Sequence, residues 1–266
     1  MRIRVIGIGC GDPGQLTLEA VAALRTVDVF VAAEKGPEDP LLRTRERICE
    51  RHVGDGYRLV SVRDPERDRG DGVTSADGYR LAVDAWHQAR AQAYSDALAA
   101  VEPRATVGFM VWGDPAFYDS TIRILERVRA IGEITFTYDV LPGISAVQLL
   151  AARHHLVLND VGTPITMTTG RRLRSAVDHG ADNLVVVLNR RLDAVDLDGT
   201  WNIWWGGNLG TEGELLVAGT VADVADEIAA ARADLRADQG WVMDTYLLRR
   251  GSAGSGQTVA GSHTDV

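Results

Sequence analysis

The segment VWGDPAFYDST at 111–121 carries the residue types best suited to chemistry. The apolar run TVGFMV stops at Gly113-Asp114-Pro115, and a helix is expected from Tyr118 to about Ile131. Such a run reads as a buried parallel strand, and open α/β sheets bind ligands at the turns following their strands. Glycine permits close backbone approach there, proline fixes the exit, and Asp114 brings a negative charge to the strand tip. Asp119 or Ser120 also suits a helix N-cap, which accounts for one residue of the polar cluster and not for the set.

Two more turns share this design. IGIGCGDPG at 6–14 runs from strand to glycine-rich turn. The dinucleotide fingerprint needs glycine where Asp12 stands, and the lysine of a P-loop is missing. An aspartate at a helix entrance repels a pyrophosphate, which leaves an uncharged or cationic ligand part, or a purely structural turn. LPGISAVQLLA at 141–151 is the third turn, with Ser145 placed as an N-cap. Three glycine turns at strand ends of one open sheet fall along the same edge, which favours binding over coincidence.

The second half adds TTGRRLR at 168–174, where Arg171, Arg172 and Arg174 cluster in an acidic protein. Arginine forks suit carboxylates, although a solvated helix start is the plainer reading. In IWWGGNLG at 203–210, Trp204 and Trp205 face opposite sides of a strand, one for the core and one able to wall a flat ligand. No histidine stands in a helix-spaced pair with a carboxylate, and no Gly-x-Ser-x-Gly elbow occurs, so metalloenzyme and hydrolase readings lack support.

The elements needed to position these residues follow from periodicity. Strands are expected at 2–9, 27–33, 57–62, up to Trp112, and over ITFTYDVL, with helices between them. The long helix ending near Val101 would present Leu81, Ala85, Trp86, Ala89, Ala93, Ala97 and Leu98 on its apolar face. The segment 63–78 is charged and glycine-rich and reads as a loop. After 141 the strand candidates PITMTT, NLVVVLN, NIWW, ELLVAGTV and WVMDTYLLR crowd together with one helix at about 222–237. The expectation is therefore α/β with a mostly parallel N-terminal sheet at 1–141, a mixed sheet at 142–250 and a flexible tail at 251–266.

The net charge of −9 argues against non-specific binding to nucleic acid or anionic membrane. Two cysteines in 266 residues fit a reduced compartment, and the apolar runs are too short to span a bilayer, so a soluble cytoplasmic protein is expected.

Taken together, these residues resemble the tetrapyrrole methylase family, which uses S-adenosylmethionine. IGIGCGDPGQLTLEAVAAL, VWGDPAFYDST and LPGISA are similar to its three signatures, and the likeness covers about 2–250. TTGRRLR, IWWGGNLG and WVMDTYLLRR narrow it to cobalamin-pathway members. The resemblance implies a two-domain methyltransferase, usually a homodimer, acting on a tetrapyrrole. Its reaction would be methylation of precorrin-5 at C-1 with loss of acetate. Carried over by position, the cofactor contacts are Cys10, Trp112, Gly113, Asp114, Tyr118, Ser145, Ala146, Leu188 and Leu209. Cys10 stands where the family has a proline. Arg171, Arg172 and Arg174 would meet substrate carboxylates, and Asp244, Tyr246 and His155 are candidates for the proton acceptor in acetate loss. A sibling acting on another precorrin, on diphthamide or on ribosomal RNA is the alternative within the family. A non-catalytic tetrapyrrole carrier and a nicotinamide oxidoreductase are the alternatives outside it.

Overall fold

The computed structural model describes residues 1–34, 39–65, 76–197 and 199–251. Residues 66–75 of the loop expected at 63–78 and residues 252–266 of the tail expected at 251–266 lie outside them, while Arg63 ends a strand and residues 76–78 open a helix. The chain divides into two units, Met1–Ser145 and Ala146–Val266.

The first unit contains β1 (Arg2–Gly7), α1 (Leu18–Leu24), β2 (Val29–Glu34), α2 (Pro40–His52), β3 (Arg58–Arg63), α3 (Ala76–Ala99), β4 (Thr106–Val111), α4 (Thr121–Ile131) and β5 (Thr137–Leu141). Its five strands are all parallel, in the order β3-β2-β4-β1-β5. Both faces are covered, so the strands read as continuous apolar runs rather than alternating ones. Ile3, Val5, Val107 and Phe109 pack with Ala91, Tyr94 and Leu98 of α3 and Ile124 and Leu125 of α4. Ile6, Phe30 and Met110 pack with Ala20 and Leu24 of α1 and Ile48 of α2. The register sets Gly7 beside Val111 and Ile6 beside Leu141. The turns after β1, β4 and β5 therefore leave the sheet at one level.

Two local expectations change. The buried stripe of α3 is Ala91, Tyr94 and Leu98, whereas Ala85 and Ala89 are exposed and Leu81 is 72% exposed. Alanines fall on several faces of that helix, so its period is weak, and the bulky Tyr94 and Leu98 decide which face docks. Helix α4 starts at Thr121 rather than Tyr118, because Tyr118 is left-handed at φ 55° and Asp119 Oδ1 accepts the Thr121 N–H at 2.6 Å. The turn at 142–145 falls in the first of the two units.

The second unit contains α5 (Ala146–Arg153), β6 (Thr166–Thr169), α6 (Leu173–Asp178), β7 (Asn183–Val187), β8 (Trp201–Gly207), β9 (Leu215–Thr220), α7 (Val221–Gln239) and β10 (Asp244–Arg250). Its sheet order is β6-β7-β10-β8-β9, with only β6 and β7 parallel. Leu184, Val186, Ile203, Trp205, Tyr246 and Leu248 form a core with Leu173 of α6 and Val224, Ile228 and Leu235 of α7. Helix α5 packs on β8 and β10. No helix among the described residues is long and apolar enough to cross a membrane.

Candidate functional site

In the first unit the three glycine turns interlock. Gly9 and Gly113 exchange both backbone hydrogen bonds, at 3.2 and 2.7 Å. A Cβ on Gly143 would stand 2.2 Å from the Gly113 carbonyl oxygen and 2.8 Å from the Gly7 carbonyl carbon. A Cβ on Gly7 would stand 2.5 Å from the Gly143 nitrogen. The obstacles are backbone, so no side chain fits at either position. Asp114 binds the turns together: its Oδ2 accepts the Gly143 N–H at 2.9 Å and its Oδ1 the Ala116 N–H at 2.8 Å.

The carried-over contacts of this unit gather here. Gly113 lies beside buried Ser145, whose Cα is 3.8 Å from where a Gly113 Cβ would be. The Cys10 thiol is buried and donates to the Ile144 carbonyl at 3.8 Å. Trp112 is half-buried against the cluster that α1 and α2 form. Tyr118 is exposed just beyond the turn; Ala146 follows Ser145 in sequence and opens α5 of the second unit.

The turns at 6–14, 111–118 and 141–145 contain two aspartates and no lysine or arginine. Asp12 is used locally, as its Oδ1 accepts the Gly14 N–H at 2.7 Å. Asp114 keeps a net negative charge at the strand tips, which suits a neutral or cationic ligand part and not a phosphate. A sulfonium nucleoside bearing an ammonium group fits this donor set and this close-approach backbone. No group of His, Cys, Asp and Glu among the described residues is arranged to hold a metal ion.

In the second unit, Leu188 ends β7 in a left-handed bend at φ 56°, with 63% of its surface exposed. Leu209 is buried beside Gly206, one residue after Asn208, itself left-handed at φ 46°. Asp244 opens β10 and Tyr246 lies inside it, both buried. Asp244 Oδ2 is bound by the Arg232 guanidinium and, at 2.8 Å, by the Trp205 indole N–H. Tyr246 is fully buried, and burial first, then the Asp244 charge, pushes its phenol far above the usual range, so it stays protonated. His155 is exposed at the end of α5, and its φ of 52° belongs to the helix terminus, where its N–H donates to the Ala152 carbonyl. Of the three, only His155 is exposed.

Arg171 and Arg172 lie exposed in the single turn Gly170–Arg172. Arg174 donates to the Asp196 carbonyl, so part of its fork is used within the fold. Trp205 is the core tryptophan, and Trp204 is half-buried with the Arg249 guanidinium 5.6 Å from its ring centre. That cation lies over the ring expected to wall a flat ligand.

Sequence reasoning missed Arg232, Asn189 and Asn208. Arg232 had a visible signal, since it falls in helical register with Val224, Ile228 and Leu235 on the buried stripe of α7. Asn208 follows β8 directly and Asn189 comes two residues after β7, so both look like ordinary turn residues.

The family model of the Tetrapyrrole (Corrin/Porphyrin) Methylases matches residues 2–225. A precorrin-6A synthase [deacetylating] from Sinorhizobium sp is 44% identical over 257 residues, spanning 94% of this chain and 96% of the relative. The crystal structure of a cobalamin synthesis related protein (CobF) from Corynebacterium diphtheriae superposes with a TM-score of 0.78 at 37% identity, covering 94% of this chain and 99% of that one. A uroporphyrin-III C-methyl transferase from Thermus thermophilus, solved with S-adenosyl homocysteine, shares the fold at a TM-score of 0.57 and 19% identity, over 94% of this chain and 97% of its own. With its whole α/β architecture matched and most of its length under the family model, this chain belongs to the tetrapyrrole methylases.

Proposed function

We propose that this chain transfers a methyl group from S-adenosylmethionine to C-1 of precorrin-5 and that, after this transfer, water adds to the carbonyl of the extruded acetyl group and releases it as acetate, giving precorrin-6A in cobalamin biosynthesis. The interlocked, anionic glycine turns of the first unit carry this reading, because they present backbone at close range and a carboxylate where a cationic ligand part would be held. The likeness to the precorrin-6A synthase of Sinorhizobium over nearly its full length supports the substrate class. Likeness to a diphthine synthase is confined to the fold, at 12% identity, so that alternative gains nothing.

When bound, S-adenosylmethionine supplies a methyl group already activated on sulfur. The protein's task is then to align donor and carbon nucleophile and to exclude water. Positioning of this kind can contribute roughly 7–11 kcal/mol. The Gly7, Gly113 and Gly143 bends supply rigid backbone for it, and Asp114 offsets the donor's positive charge. Arg171 and Arg172 offer exposed cations to the carboxylates of a tetrapyrrole. The reading includes a cytoplasmic homodimer, which the family resemblance supports; light scattering that returns the mass of one chain removes the dimer.

The test is incubation of the purified protein with methyl-labelled S-adenosylmethionine and precorrin-5, following label in the macrocycle and acetate in solution. Transfer of label together with acetate release is expected. Transfer without acetate moves the chain to another precorrin methylase, and failure to bind S-adenosylhomocysteine overturns the reading.

A further inference from the structure

The two leucines carried over as backbone contacts of the second unit, Leu188 and Leu209, each neighbour an asparagine. Asn189 Nδ2 donates to the Asp244 carbonyl at 3.2 Å. Asn208 Oδ1 accepts the Met243 N–H at 2.8 Å, and the Asn208 N–H donates to the Met243 carbonyl at 2.8 Å. The two side chains thus grip consecutive residues at the start of β10, although 18 residues of sequence separate Asn189 from Asn208 on either side of β8. Asp244 is itself immobilised by Arg232 and by the Trp205 indole.

Left-handed backbone is tolerated by asparagine, as at Asn208, and disfavoured for leucine. Leu188 is largely exposed, so burial of its side chain does not hold the bend. Something in its surroundings must over-determine that conformation. The adjacent anchor is Asn189, whose Oδ1 is buried with no protein hydrogen-bond partner among the described residues, so the Nδ2 bond is what fixes this side chain. Gly170 makes room for it: a Cβ there would stand 2.9 Å from Asn189 Oδ1 and 2.5 Å from Asp193 Oδ2. This gives the glycine of TTGRRLR a structural role.

We propose that Asn189 and Asn208 are positioning residues that bracket the start of β10 and so hold the backbone bends at Leu188 and Leu209 at a fixed spacing for the nucleoside of the methyl donor. This rests on the cofactor reading above. Asn189 acts through Leu188 and touches no reacting atom.

The test is calorimetric titration of the full chain with S-adenosylhomocysteine. Asn189→Ala should bind about tenfold more weakly, because the left-handed leucine must then be re-formed on binding. Adding Leu188→Gly, which adopts that conformation without penalty, should bring affinity back to within about threefold of wild type. In turnover, the KM for the donor should rise while kcat at saturating donor holds. A merely structural asparagine would show no such rescue. If Asn189→Ala does not fold, Asn189→Ser, too short to reach the Asp244 carbonyl, serves in its place. Wild-type affinity in the single variant, or no rescue in the double, overturns the proposal. If the wild-type chain binds no S-adenosylhomocysteine, the cofactor reading falls separately. A double-mutant cycle of Asn189→Ala and Leu188→Gly on unliganded protein still decides the bracket, since additive stabilities overturn it.

Discussion

Asp114 Oδ2 accepts the Gly143 N–H at 2.9 Å, joining the turn after β4 to the turn after β5 across 29 residues of sequence. One carboxylate therefore sets both the shape and the charge of the candidate cofactor site, and these two roles separate by mutation. Asp114→Ala should cost about 1.5–3 kcal/mol in chemical denaturation, the usual value of a hydrogen bond to a charged group. Asp114→Asn retains a carbonyl acceptor for Gly143 and should lose less stability. It should nevertheless reduce the preference for S-adenosylmethionine over S-adenosylhomocysteine, because only the former carries a sulfonium. Unchanged relative affinities would remove the electrostatic role.

Gly143→Ala should be among the most damaging single-methyl additions in the chain. Its new carbon would meet the Gly113 carbonyl oxygen at 2.2 Å, and backbone cannot swing away as a flexible side chain can. A loss of about 3 kcal/mol or more is expected, with donor affinity lost in any fraction that folds. Gly54→Ala is the control. Its φ of 86° is unfavourable for alanine, but nothing lies within 4 Å, so the cost should be about 1 kcal/mol. Equal melting temperatures for the two variants would contradict the interlock.

Arg232→Met leaves Asp244 buried without its cation. Removing one partner of such a pair typically costs about 3–5 kcal/mol, because the other charge remains uncompensated. Arg232→Met combined with Asp244→Asn should recover a large part of that loss, since asparagine can still accept from the Trp205 indole. Denaturant titrations of the two single variants and the double form the cycle. Additive losses would mean that the pair is not coupled.

Stability should fall as the solution is acidified through the histidine range. Burial is the main cause lowering the pKa of His154, whose Nε2 lies 2.9 Å from the Trp205 carbonyl oxygen, and burial with nearby Arg127 and Arg123 lowers that of His87. The unfolded chain protonates these rings near pH ~6.5, whereas the folded chain does so only at lower pH. Between those two points the unfolded state binds more protons, so stability is full above about 6.5 and lost as pH falls through the folded values. His154→Gln should flatten that slope in melts taken from about pH 7.5 down to about 5.5. An unchanged slope would place the proton uptake elsewhere.

Arg171→Ala and Arg172→Ala should raise the KM for precorrin-5 about tenfold each, as expected for a lost charge-assisted contact to a carboxylate. Neither should alter calorimetric affinity for S-adenosylhomocysteine. A fall in cofactor affinity instead would reassign the two arginines.

The sheet of the first unit was legible because its strands are buried on both faces and announce themselves as apolar runs ending in Gly-Asp-Pro or Pro-Gly turns. The convergence of those turns was legible for the same reason, since parallel strands of one open sheet end on one edge. Asp12 in place of the fingerprint glycine, together with the missing P-loop lysine, made a phosphate cradle a poor fit. The burial of Asp244 and Tyr246 was not legible, because a polar residue near a strand end looks available. Only folding reveals that α7 covers them and that Arg232 neutralises one of the two. The face of α3 was undecided by its many alanines, whose small side chains give almost no moment. Tertiary packing also settled the bends at Tyr118, Leu188 and Asn208, since left-handed backbone at a residue other than glycine is imposed by its surroundings and leaves no mark in the local sequence. Patterning along the chain thus determined where the strands lie and that the turns after the parallel ones share one edge, because it rests on burial of whole faces, while the strand order came from the fold. Individual contacts such as Asp114 with Gly143 or Asn189 with Asp244 depend on distances between segments remote in sequence, and only the folded chain sets those.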